Sequence, residues 1–341
     1  MNQTCVCGRR HLFLGGLAAA FAPALPGRGF AAPEPHRIDV HHHLVPPAWV
    51  DAVKRAKLDN PPMVSWTPEK SLADMDKAGI ATSIASPMPP HVGFLPPAEA
   101  AKVCRESNEW ARQLATDHPG RFGVFAMLPM PYADESLREI EYAFDTLKVD
   151  GIGMMTNYGD KWLGYPEFAP VFEELNRRKA VVFTHPMSPT CCINLVKNVP
   201  DSTVDWGADT TRTITNLIFS GASARYSNVN FIFSHGGGVI TAVAERLRIQ
   251  MINTPPYKGQ FTRDMVDHEL NRFYYDTAQV SNEVTILALA KLVPVSQIVF
   301  GTDFPYRTGA EHVAGLAERF NGEDLAAIDR ANALRILPAW R

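Results

Sequence analysis

The chain is 341 residues long, carries 33 Lys and Arg against 36 Asp and Glu for a formal net charge of −3, and is 46% hydrophobic. That much apolar surface covers a sizeable core and excludes disorder as the main state. A near-neutral balance with no long Lys or Arg run also lacks the electrostatic footprint of a nucleic-acid binder, so a small molecule is the expected partner.

Residues 1–31 read as an export signal and not as part of the fold. Gly8-Arg9-Arg10-His11-Leu12-Phe13 sets paired arginines ahead of an apolar run at 12–25, and Gly29-Phe30-Ala31-Ala32 supplies small residues at a cleavage point. The pattern resembles a twin-arginine signal. The other reading is an uncleaved anchor or a disordered tail, but fourteen mostly small apolar residues fall short of the roughly 20 that span a bilayer. The resemblance places residues 32–341 in the periplasm, with no stable membrane insertion after cleavage. It also suits a metal site, because that route passes folded proteins, often with the cofactor inserted. Cys5 and Cys7 leave with the signal; Cys104, Cys191 and Cys192 remain, without CxxC spacing. A disulfide between adjacent residues is strained, so two reduced thiols are expected at 191 and 192.

Short β-rich runs follow at 37–41, 80–86, 121–128, 151–156, 180–184, 229–234, 272–277 and 297–301. Helical spacing of apolar residues lies between them at 97–117, 133–147, 166–178, 211–224, 239–251 and 282–292, with Pro97, Pro166 and Asp209 at expected helix starts. Eight strands alternating with helices predict an α/β fold, a (β/α)8 TIM-like barrel filling residues 32–341 as one domain; such barrels often exceed ~250 residues. Two connections are long. Residues 43–80 contain Pro46-Pro47, Pro61-Pro62 and Trp66, and residues 186–210 contain Cys191, Cys192 and Trp206. Both follow strand C-terminal ends, where lids and substrate walls are built.

The strongest chemical signal is Asp39-Val40-His41-His42-His43 at the end of the first strand. Strand side chains alternate, so His41 and His43 share a face and His42 takes the other. His185 in Thr184-His185-Pro186, His235 in Ser234-His235-Gly236-Gly237-Gly238, and Asp303 in Gly301-Thr302-Asp303-Phe304-Pro305 each follow a strand on the same rim. Singly, each reads as a core histidine or a turn aspartate; jointly they predict a metal site. The three glycines after His235 fit either a tight turn or close approach of substrate to the backbone. No GxSxG, HExxH, P-loop or strand-following GxGxxG occurs.

These motifs resemble the amidohydrolase superfamily, and more closely its decarboxylase branch related to aminocarboxymuconate-semialdehyde decarboxylase and 6-methylsalicylate decarboxylase. The resemblance runs from about Arg37 to the C-terminus. It implies that His41, His43, His185 and Asp303 bind one divalent ion, Zn2+ first and Mn2+ as the alternative, and that His235 handles protons. The fourth strand, Gly151-Ile152-Gly153-Met154-Met155-Thr156-Asn157, lacks the lysine that bridges two metals in many relatives, and Lys161 lies too far into the loop. A mononuclear site is expected.

In the same pattern Arg246 reaches a neighbouring subunit and binds the substrate carboxylate, which implies a homodimer; the plainer reading is a solvated helix arginine like Arg248. Asp209-Thr210-Thr211-Arg212 also resembles this branch. Arg212 either lines the rim or forms an internal ion pair, and Asp209 or Thr210 either belongs to the site or caps a helix. Asn157 is taken as substrate-binding at the rim, with Tyr158, Trp162, His91 and Trp66 as wall. Lys70 is the only basic residue near the place where the muconate enzyme has a further arginine, which favours a simpler aromatic acid.

The expected activity is metal-dependent, non-oxidative decarboxylation of a hydroxylated aromatic acid or a related unsaturated acid, with Asp303 or His235 as proton donor. The rivals are hydrolysis of an ester, lactone or amide by the same donors, and non-catalytic binding of a ligand or metal in the periplasm.

Overall fold

The computed structural model describes residues 35–341 apart from Pro256, so the export signal expected at 1–31 lies outside the described residues. Eight strands form the centre: β1 Arg37–His43, β2 Ile80–Ser86, β3 Phe122–Met127, β4 Gly151–Met155, β5 Val181–His185, β6 Asn230–Phe233, β7 Tyr274–Asp276 and β8 Ile298–Val299. Every neighbouring pair is parallel and taken in sequence order. The ring closes through the residues after β8: Val40 N–H donates to Phe300 O at 2.9 Å, Asp303 N–H to His41 O at 2.8 Å and His43 N–H to Phe304 O at 2.8 Å. This is the expected (β/α)8 barrel.

Alternating side chains divide the core in two. Ile38, Val40, Ile84, Phe125, Val181, Phe183, Ile232, Tyr274 and Val299 fill the barrel, joined by Ala333 and Leu337 from the C-terminal segment. Their neighbours Ile152, Met154, Val182, Phe231 and Phe233 point outward into the layer shared with the helices. Among the described residues no helix is long and apolar enough to cross a membrane.

Several expected boundaries shift, each for a local reason. β1 continues to His43, two residues past the expected end, because β2 pairs with it as far as His43↔Ser86. Its register breaks between Asp39 and His42. There the Asp39 carboxylate accepts from His41 N–H at 3.0 Å in place of a ladder bond. Such a bulge reverses the parity of a strand. Ile38 and Val40 face the barrel interior, and after the break His41 and His43 do so too. β8 ends early because the Thr277 hydroxyl accepts from Gly301 N–H at 3.0 Å and donates to Gly301 O at 3.1 Å, replacing the next rung.

The long first connection is helical, with Pro47–Arg55, Pro61–Val64 and Pro68–Ala78, each opened by proline; Asn60 and Thr67 cap the second and third. In the second long connection the helix is Asp205–Phe219, beginning six residues before the expected start at 211. Asp209 therefore lies inside the helix, which corrects its reading as a helix start. A two-stranded hairpin, Asn157–Tyr158 with Lys161–Trp162, follows β4 and turns at Gly159, whose φ is 71°.

The turn after β6 bears out the tight-turn reading of the glycine run, and Gly238 also lines a cavity. His235, Gly236, Gly237 and Gly238 all have positive φ, from 53° to 76°. A Cβ on Gly238 would overlap the Gly207 carbonyl oxygen, and one on Gly237 would meet Tyr275 at 2.9 Å. The tight turn, packed on the helix that carries Gly207, requires the glycines.

Candidate metal and catalytic site

Four donor atoms converge where β1 meets the chain after β8. His43 Nε2 lies 2.9 Å from Asp303 Oδ1, His41 Nε2 lies 3.2 Å and His185 Nε2 3.9 Å from the same oxygen. His41, His43, His185 and Asp303 are all buried, and their donor atoms all lie within 4.8 Å of one another. The pleat of β5 carries Val181, Phe183 and then His185 to the interior, so His185 arrives there by plain alternation. Asp303 arrives through the left-handed conformation at its own Cα, with φ of 65°. His235 stands beside the group, its ring centroid 4.9 Å from that of His41 and 5.4 Å from that of His185.

The hydrogen bonds orient the rings. His41 Nδ1–H donates to Asp276 Oδ2 at 2.7 Å and His185 Nδ1–H donates to Pro186 O at 2.9 Å, which turns both Nε2 atoms toward the centre. His185 Nε2 is buried and has no hydrogen-bond partner. An orphaned acceptor with two more imidazole nitrogens and a carboxylate is the donor set of a divalent-cation site. The residues fit the ion that the sequence leads one to expect.

Electrostatics favour positive charge at His41 and oppose it at His43, His185 and His235. Burial opposes charge on His41, yet the carboxylates of Asp276 and Asp303 raise it to about 10. Burial and the adjacent His43 and His41 push His185 well below the ordinary histidine value. Burial by itself would raise Asp303, but His41 and the hydrogen bonds from His41 and His43 hold it well below the carboxylate range. His42 is turned away, with Nδ1 3.1 Å from Asp39 Oδ2 and its ring stacked on Phe304 at 4.9 Å.

Asp276 was not among the sequence candidates. Besides His41 it holds His235 N–H at 2.8 Å and Ala278 N–H at 3.0 Å on Oδ1. The signal was available, since Asp276 ends its strand on the same rim as the histidines. Asp39 accepts from Thr302 Oγ1 at 2.6 Å and so ties β1 to the loop that carries Asp303.

A cavity of about 1030 Å3 opens above the cluster, with His235, Asp303, Gln279, Trp206, Tyr306 and Arg307 among its lining. His235 Nδ1–H donates to Ala278 O at 3.3 Å, leaving Nε2 for the cavity side. Burial holds the pKa of His235 below the ordinary value against the pull of Asp303. Gln279 and Arg307 escaped the sequence analysis because nothing in a loop sequence says which side chains face inward.

Asn157, Arg212 and Arg246, the other expected substrate residues, are not part of the cavity lining. Asn157 is buried and donates to Asp209 Oδ2 at 2.7 Å, Trp162 Nε1 donates to Asp209 Oδ1 at 2.7 Å, and the Thr156 hydroxyl also bonds this carboxylate. Asp209 therefore anchors the hairpin after β4. Arg212, 3.7 Å from Asp209, is half-exposed and lies outside the cavity lining. His91, Tyr158 and Trp66 are buried in the core. Arg246 is exposed on the helix Ile240–Asn253, whereas Arg248 pairs with Asp267 at 2.5 Å. Lys161 is exposed and pairs with Glu167 at 2.6 Å, well apart from the cluster.

Replacing Asp276 with Asn removes the carboxylate that orients His41 while keeping its shape. Metal affinity measured by chelator competition is expected to fall roughly 10–100-fold with the far-UV spectrum unchanged. Wild-type affinity in this variant would show that Asp276 does not orient a ligand.

Residues 38–339 match the family model described as Amidohydrolase. A decarboxylase of Aspergillus niger, yanB, is 35% identical over 326 residues, covering 89% of this chain and 88% of its own. The 6-methylsalicylic acid decarboxylase of Penicillium expansum is 33% identical over 318 residues, covering 89% of this chain and 96% of its own. The crystal structure of 5-carboxyvanillate decarboxylase from Novosphingobium aromaticivorans, which holds manganese, shares the fold with a TM-score of 0.79 at 19% identity, over 89% of this chain and 97% of that one. Matched from residue 38 to residue 339, with its metal-type donors on the rim of a closed barrel, this chain belongs to the amidohydrolase family.

Proposed function

We propose that the chain is a metal-dependent, non-oxidative decarboxylase, a carboxy-lyase, acting on a hydroxylated aromatic carboxylic acid of the 6-methylsalicylate type. The arrangement that carries this reading is the buried cluster of His41, His43, His185 and Asp303 with His235 on its cavity side. A divalent cation held by these four residues supplies a Lewis acid that draws off the electron density left when carbon dioxide departs. Three imidazoles and one carboxylate suit Zn2+, and Mn2+, which the carboxyvanillate enzyme holds, is the alternative. Ester, lactone or amide hydrolysis would use the same donors; the relatives named as decarboxylases favour loss of carbon dioxide.

The chain's own residues have two tasks. Trp206 and Tyr306 wall the cavity with aromatic surface that suits a flat ring. When the bond from the ring to the carboxylate breaks, its electron pair stays on the ring carbon, and a proton must reach that carbon to form the new C–H bond. His235 is the better carrier. Its Nδ1 is held by Ala278 O, and the ring lines the cavity with its other nitrogen free of any hydrogen bond to the loop. Asp303 has both oxygens engaged, one by His43 and one by Gln279.

Three further readings complete the proposal: export to the periplasm through residues 1–31, a homodimer, and Arg246 as the partner's contact to the substrate carboxylate. Arg246 is exposed and makes no ion pair among the described residues, which leaves its guanidinium available.

Protein loaded with Zn2+ or Mn2+ is expected to release carbon dioxide from 6-methylsalicylate or a dihydroxybenzoate. Asn tolerates the left-handed backbone of residue 235, so His235→Asn is the proper control, and it should lower kcat by roughly 10²–10⁴-fold. No release from metal-loaded protein across the panel, or release undiminished in His235→Asn, would sink the assignment. Arg246→Ala is expected to raise KM by about tenfold or more, as loss of a charge-assisted hydrogen bond requires, with kcat little changed; an unaltered KM removes Arg246 from the site. Mass spectrometry of the protein from the periplasmic fraction should find an N-terminus near Ala32, and an intact Met1 in cytoplasmic protein only would refute export.

A further inference from the structure

Gln279 follows β7 by three residues and lies on the cavity wall with its flank exposed. Its φ of 59° is left-handed, uncommon for a residue with a side chain. Two bonds hold it there. The backbone N–H donates to Nε2 of His312 at 2.8 Å, and the buried His312 is itself fixed by Nδ1–H donating to Thr308 O at 2.8 Å. The side-chain amide donates through Nε2 to Oδ2 of Asp303. Gln279 thus latches the loop after β7 to Asp303 in the loop after β8 and to His312 in the helix Gly309–Ala317 that follows it.

The two oxygens of Asp303 are thereby divided. Oδ1 faces Nε2 of His43 at 2.9 Å and Nε2 of His41 at 3.2 Å, while Oδ2 is engaged by Gln279. A carboxylate left to itself takes a cation through one oxygen or both. A catalytic metal site, however, needs a coordination position left for the substrate. We propose that Gln279 is a positioning residue that holds Asp303 to a single ligating oxygen and so keeps a place on the cation for the substrate's oxygen. The inference rests on the metal site of the proposed function but not on which reaction occurs there. The alternative role, a loop staple, would affect stability and leave the metal's surroundings alone.

The test uses Co2+, whose visible absorption weakens as its coordination number rises, in the wild type and in Gln279→Leu and Gln279→Gly. Leucine removes the donor at similar bulk; glycine removes the whole side chain and tolerates the left-handed backbone, so a folded variant is secured. Both variants are expected to absorb more weakly in the visible. They should also bind 2-nitrophenol, which offers adjacent oxygens and has no carboxyl group to lose, roughly tenfold less tightly by calorimetry. Variants that take up one Co2+ with wild-type spectrum and wild-type 2-nitrophenol affinity would overturn the proposal, whatever their melting temperature. A wild type that takes up no Co2+ would overturn it together with the metal site. Altered spectra in a protein that releases no carbon dioxide would uphold the positioning role while refuting the decarboxylase.

Discussion

The N–H of Asp303 donates to the carbonyl of His41 at 2.8 Å, and this bond closes the barrel at the point where its chemistry is gathered. Residues 41 and 303 come from opposite ends of the folded chain, and only ring closure places them side by side. Once they are paired, His43 and His185 complete a group whose donor atoms lie within 4.8 Å of one another. Four buried donors at such spacing are unfavourable by themselves, because lone pairs and a carboxylate are crowded together away from water. A cation relieves that cost, so its binding free energy and the stability of this end of the barrel are one quantity.

Around the donors stands a layer of residues that orient His41, His235 and Asp303. Asp276 fixes the ring of His41 and the backbone of His235 with one carboxylate. Asp39 serves the opposite edge, tying Thr302 to β1 and taking the His41 N–H out of the ladder. Gln279 engages the outer oxygen of Asp303. Buried polar networks of this kind hold one geometry firmly when fully satisfied. The glycine turn contributes by necessity: it brings His235 into line and then packs on Gly207 more closely than any side chain would permit.

The cavity is unlike the cluster beneath it. Its walls mix aromatic and polar residues, with Arg307 at its margin paired to Glu311 at 2.7 Å. Asn157 and Trp162, in the hairpin after β4, are held by Asp209, and Tyr158 is packed into the core. Position after a strand is a good guide to ligands, which sit on the strands or immediately beyond them, whereas the aim of a loop side chain depends on how the longer loops fold back.

The sequence by itself determined the alternation of strands and helices, and with it the barrel. It also determined the five residues His41, His43, His185, His235 and Asp303, because each is adjacent to a strand end and strand order places all such ends on one rim. The helices between β1 and β2 went unread because the proline-rich composition made the segment look like loop, although their proline starts and the Asn60 and Thr67 caps stand in the sequence. Only the tertiary structure decided which face of β1 enters the barrel. Ile38 and Val40 point inward, so strict alternation would have turned His42 to the metal and His41 and His43 away from it; the break after Asp39 reverses this. That break depends on the Asp39 side chain, which is held by Thr302 from 263 residues away. Asp276 and Gln279 likewise acquire their tasks from partners far along the chain. Periodicity records what a residue's neighbours in sequence require, and the parity of a bulge or the aim of a loop side chain is set by neighbours in space.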